Sequence, residues 1–134
     1  MSVKALAEPM HRRPNSQAMG ASYVEFDIGT ELESLQREPE WLTGHNSKTL
    51  VKYDSLRIVL IAMKARTRIP EHQTEGRISI QTICGHIQVR ANGRTFDLPS
   101  GGLLALDQSL RHDVEALEDS AFLLSIAWPG TNAK

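Results

Sequence analysis

The chain has 134 residues, a mass of 14.9 kDa, 40% apolar and 23% charged residues, and a mean hydropathy of -0.30, which is the profile of one globular domain. Its 15 basic and 16 acidic residues leave a net charge of -1, so no field recruits nucleic acid or an anionic membrane, and no apolar run approaches the ~20 residues of a bilayer span. A single cysteine, Cys84, excludes an intramolecular disulfide and a multi-cysteine zinc site, and points to a reducing compartment, the cytoplasm.

In chain order, the first segment is mixed in polarity. Pro9, His11, Arg12 and Arg13 interrupt any apolar core, which argues against a secretory signal. Residues 1–20 read as a flexible leader, with a single domain over residues 21–134. The run TELESLQR, residues 30–37, is rich in helix formers, and Thr30 and Glu33 stand in the capping-box arrangement. Pro39 ends this short helix, and Trp41 and Leu42 are expected to fold back onto the core. His45, in the polar stretch GHNSK, reads as a surface loop residue.

Beyond Thr49 the pattern becomes one of short strands. LRIVLIAM, Leu56–Met63, is β-branched and too short for a typical solitary helix, with Leu56, Ile58 and Leu60 expected as a core stripe. RISIQTIC, Arg77–Cys84, alternates with Ile78, Ile80 and Thr82 on one face. HIQVR alternates through Ile87 and Val89. Asn92-Gly93 then turns the chain into RTFDL, a strong hairpin signal. After the turn at residues 99–102 come strands over residues 103–107, 112–117 and 122–128, the last with Phe122, Leu124 and Ile126 as core. About seven strands with turns roughly every 8–12 residues, and no long helices between them, define an all-β sandwich or barrel with one short N-terminal helix.

Two stretches carry more than a fold class. RIPEHQTEGRISIQTICGHIQV, residues 68–89, has a turn with Pro and His, two strands and a glycine at the hairpin corner. GRTFDLPSGGLLALDQSLRHDVEALEDSAFLLSI, residues 93–126, has a hairpin, a turn, a strand, a loop with a histidine, and two more strands. The rhythm resembles the cupin superfamily over about residues 50–129. That resemblance implies a double-stranded β-helix, or jelly-roll, barrel and a homodimer. Of the superfamily's first metal motif, His72 and Gly85 match, whereas Thr74 stands for a histidine and Ile78 for the carboxylate. Of the second, Gly101 and His112 match, whereas Asp107, Ser109 and Ala116 replace Pro, Gly and Asn.

The resemblance thus leaves two of four customary ligands, His72 and His112. The leading expectation is a barrel that binds a small molecule, its pocket lined by His72, Thr74, Ile78, Ile80 and His112, with no cofactor required. The alternative is a metal-dependent enzyme of dioxygenase or isomerase type. There His72 and His112 ligate a divalent ion (Zn, Fe, Mn or Ni), and Glu75 or Thr74 completes the sphere. A third reading is a dimeric assembly module without a ligand. Cys84 reads as a small buried hydrophobe rather than a nucleophile, because His86 projects from the opposite side of the hairpin corner. No phosphate loop or Ser-His-Asp elbow is present.

Overall fold

A computed structural model describes residues 22–129. The expected leader, residues 1–20, lies outside the described residues. Helix α1 (Ile28–Arg37) opens the described chain, followed by a 3-10 turn (Pro39–Thr43). The strands are β1 (His45–Lys52), β2 (Leu56–Met63), β3 (Arg68–His72), β4 (Arg77–Cys84), β5 (His86–Ala91), β6 (Arg94–Pro99), β7 (Leu103–Leu106), β8 (His112–Ala116) and β9 (Ser120–Ala127). They form two antiparallel sheets, one in the order β1-β2-β9-β4-β7 and the other β3-β8-β5-β6.

The inner faces of the two sheets share one core. Ile61 and Met63 of β2, Ile78 and Ile80 of β4, and Phe122 and Ile126 of β9 come from the larger sheet. Ile87 and Val89 of β5, Leu98 of β6 and Val114 of β8 come from the smaller. The period of two along β4 and β5 sets this directly, since alternate side chains must share a face. At the β5–β6 turn, Asn92 and Gly93 both have positive φ (54° and 74°) while Ala91 pairs with Arg94, the two-residue turn expected of Asn-Gly.

Five expectations need correction. The apolar stripe of β2 does not enter the inter-sheet core. Leu60, Ala62 and Ile58 instead form a second cluster with Leu35, Trp41, Leu50 and Val51 on the outer face of the larger sheet. β2 is buried on both faces between the core and α1, and a strand covered twice carries no alternation to read.

Helix α1 also begins earlier than the Thr30 cap implied. Asp27 is the N-cap, and its Oδ1 accepts the Thr30 backbone N–H at 3.1 Å. His45 belongs to β1 rather than a loop. That strand was masked by its polar first half, in which Asn46 is buried because it ties down the helix: Nδ2 donates to the Leu35 carbonyl (3.0 Å) and to Glu38 Oε1 (2.8 Å). Residues 68–72 form strand β3 rather than a turn. Pro70 is tolerated because β3 is an edge strand with a register shift between Ile69 and His72. Finally, Trp41 is buried as expected, but Leu42 is 75% exposed, since adjacent residues of the short turn cannot both face the sheet.

Candidate functional site

His72 ends β3 and His112 begins β8, and the two are directly opposed across the sheet. Their ring centroids lie 4.2 Å apart, tilted by 59°. The Nδ1 of His72 is 3.0 Å from the Pro70 carbonyl, and that of His112 is 3.1 Å from the Leu110 carbonyl. A carbonyl only accepts, so each Nδ1 carries a proton, and in the neutral ring the lone pair then resides on Nε2. Two imidazoles are thus fixed in the same tautomer by the same local device, a bond back to the carbonyl two residues earlier.

Both rings line a cavity of about 70 Å³ between the sheets, walled by Ile61, Ile69, Ile80, Val114, Phe122 and Leu124. His112 is buried, at 2% exposure, and His72 is half-buried. Burial in this apolar wall lowers the His112 pKa below its ordinary value. The Leu110 hydrogen bond opposes that shift, the His72 charge adds to it, and Asp113 opposes it.

The other residues singled out from sequence are distributed as follows. Ile80 lines the cavity beside the histidines. Ile78 lies in the core opposite Leu106 and Ile126 and does not line the cavity, because a two-residue step along β4 moves it past the cavity's end. Thr74 spends its hydroxyl on the Gly76 carbonyl at 3.1 Å, and Glu75 is exposed. Among the remaining carboxylates, Asp107 is paired with Arg77 and Glu71 with Arg111. The Asp107 pKa is lowered by the Gln108 backbone N–H and then by Arg77. Cys84 is only half-buried, next to the Gly85 corner.

Among the described residues, no three His, Cys, Asp or Glu side chains are grouped as a metal would require. The two imidazoles supply two nitrogen donors in an apolar wall, which does not fit a resident ion held by three or four protein ligands.

No protein-family model and no curated protein matches the sequence. Solved structures do. A salicylate 1,2-dioxygenase from Pseudoaminobacter salicylatoxidans superposes with a TM-score of 0.69 at 15% identity, over 76% of this chain and 34% of that one. A conserved Streptococcus pyogenes protein of unknown function gives 0.64 at 18% identity, over 83% and 91%. A cupin superfamily protein from Desulfitobacterium hafniense gives 0.60 at 16% identity, over 62% and 76%.

The chain has the cupin fold. At these identities the likeness is one of fold, and it spans both an enzyme and a protein without assigned activity, so the cupin barrel alone does not choose a chemistry. In this barrel the paired histidines lie against an otherwise apolar cavity wall. The resemblance to the cupin motifs points to His72 and His112 in one pocket, and their ring-to-ring contact follows from the β3–β8 register. Phe122 and Leu124 are read from the sequence only as core, and Ile61, Ile69 and Val114 complete the wall without having been singled out.

Proposed function

We propose that this protein binds a small organic molecule in its barrel, with His72 and His112 as the polar anchor. The observation that carries the proposal is the pair of half-buried to buried imidazoles, pinned at Nδ1 and offering two Nε2 acceptors to an otherwise aliphatic and aromatic cavity. Such a site suits a hydroxyl or protonated acid group that donates to Nε2 while a small apolar part enters between the sheets.

Size restricts the class. A cavity of about 150 Å³ accepts a benzene ring. One of about 70 Å³ accepts a methyl- to isopropyl-sized group unless the walls move. The expected ligand is therefore a short-chain alcohol or acid, with much of its body at the cavity mouth.

The metal-dependent reading, which the fold shared with a dioxygenase brings to mind, receives no support from a two-nitrogen donor set. A homodimer is part of the same proposal. The outer face of the larger sheet beyond α1 is only partly covered, and Leu103 on edge strand β7 is 63% exposed. Light scattering at several concentrations tests this, with a mass of twice 14.9 kDa expected.

The binding reading is tested by a thermal-shift screen of short-chain alcohols and acids in the presence of chelator. A ligand that raises Tm in the parent chain should lose that effect in His112→Ala and His72→Ala. Stabilisation retained in both variants would overturn the assignment of the site.

A further inference from the structure

Side chains of β2 alternate between the two faces of the larger sheet, because its register with β9 is unbroken. Ile58, Leu60 and Ala62 pack under α1, whereas Val59, Ile61 and Met63 face the barrel interior. Arg57 takes the next inward position. Val59 pairs with Leu124, which walls the histidine cavity, and Arg57 stands about 7 Å further along the strand. Burial along β2 falls from Ile61 and Met63 to half-buried Val59 and Arg57, so the interior opens to solvent at the Arg57 end.

Arg57 is also the direct cross-strand partner of Lys52 on β1. Two cations so placed repel each other, and neither has a carboxylate partner among the described residues. By contrast, Arg68, Arg77, Arg90 and Arg111 each meet an acid. The Arg57 guanidinium carbon lies 5.3 Å from the centroid of the Trp128 ring, a contact that directs the group without neutralising it. Its Nε is buried and donates to none of the described residues. A partly desolvated guanidinium beside a second cation, with no counter-ion, is a site for an anion.

From this juxtaposition we propose that Lys52 and Arg57 receive the carboxylate of the molecule bound in the barrel, while its apolar chain runs over Val59 and Leu124 towards the histidines. The inference rests on the barrel-binding reading for the course of the chain, and on the opposed cations for the charge. It narrows the ligand class. The Nε2 acceptors alone suit an alcohol or an un-ionised acid, whereas a guanidinium with paired N–H donors selects the ionised carboxylate. The inner end of such a ligand is left to offer a hydroxyl to Nε2, which describes a hydroxy acid with its two polar groups at opposite ends.

The test is a calorimetric titration of the full chain at neutral pH, in the presence of chelator, with 6-hydroxyhexanoate, hexanoate and hexanol. The indole N–H resonance of Trp128, assigned with Trp128→Phe, locates the binding. Hexanoate should bind at least about tenfold more tightly than hexanol and shift that resonance saturably. Added sodium chloride should weaken hexanoate and leave hexanol unchanged. Arg57→Gln should remove the preference for hexanoate over hexanol, and Lys52→Gln should reduce it. Arg57→Gln relieves a like-charge pair, so its Tm should not fall. Lys52→Gln lies at an exposed position and decides the matter if it does. Equal affinity for hexanoate and hexanol in the parent chain, a preference that survives both substitutions, or no saturable binding of either acid would overturn the proposal. The histidine anchor is judged separately, by whether His112→Ala removes the advantage of 6-hydroxyhexanoate over hexanoate. If that advantage persists while Arg57→Gln still removes the preference for the acid, the anchor fails and the cation pair stands.

Discussion

The Nδ1 atoms of His72 and His112 each bond to the backbone carbonyl two residues earlier, although the histidines belong to different strands and meet ring to ring at 4.2 Å. Each ring is therefore oriented by its own chain and not by its neighbour. Their apposition is set by the β3–β8 register, in which His72 pairs with His112 after the shift that follows Ile69. Neutral rings tolerate this proximity, whereas two imidazolium ions at that distance would repel each other strongly.

Acid should consequently destabilise the fold. The His112 pKa is lowered by burial, so the unfolded chain binds its proton more readily than the native chain does. Stability from the neutral ring is fully present above the ordinary value of 6.5 and falls as pH drops from there towards the folded pKa. Urea midpoints measured from pH 8 to 5 should decline in this window, and His112→Gln should flatten the decline. An unchanged slope in that variant would assign the acid sensitivity elsewhere.

Deleting a cavity wall should cost stability by the core mechanism. Ile80 is 1% exposed and packs in the core shared by both sheets, so Ile80→Ala should lower unfolding free energy by about 2–5 kcal/mol. Denaturant titration measures it. The same variant enlarges the cavity, so larger apolar ligands should stabilise it more than they stabilise the parent.

The corner between β4 and β5 should reject any side chain. Gly85 has φ of 81°, and a Cβ there would meet the Ser120 hydroxyl and the Asp119 carbonyl. Ser120 Oγ also accepts the His86 backbone N–H at 2.9 Å. Gly85→Ala combines left-handed strain with this clash and should cost at least about 1–3 kcal/mol, read as a lowered Tm.

One amide helps to fasten the helix layer, beside the Lys48–Glu31 ion pair and the apolar cluster under α1. Asn46 joins the end of α1 to β1 through the Leu35 carbonyl and Glu38, while its Oδ1 accepts the Ser47 N–H at 2.9 Å. Asn46→Ala removes both side-chain bonds to the helix end and leaves the Leu35 carbonyl with only the 3.3 Å bond from the Glu38 N–H, which should cost about 1–3 kcal/mol. Hydrogen exchange should rise in residues 28–37 before it rises in β4 and β9.

Particular residues explain why sequence reading succeeds in one half of the fold and fails in the other. β4 and β5 have one face in the core and the other towards solvent or polar neighbours, so Ile78, Ile80, Ile87 and Val89 stand out at a period of two. β2 has both faces covered, and its register could not be assigned from an unbroken apolar run. β1 hides a buried asparagine among polar residues, and β3 carries a proline that a central strand would exclude. His72 and His112 are legible through the resemblance to the cupin motifs, whereas their ring contact follows from the β3–β8 register and their shared tautomer from the local Nδ1–carbonyl bonds.

The most direct test of the account is elemental analysis of the tag-free chain after growth with zinc, iron, manganese and nickel, beside His72→Ala and His112→Ala. A two-imidazole anchor for an organic ligand predicts metal far below one ion per chain, unchanged by either substitution. Close to one ion per chain, lost in both variants, would contradict the account and make the paired histidines a metal centre.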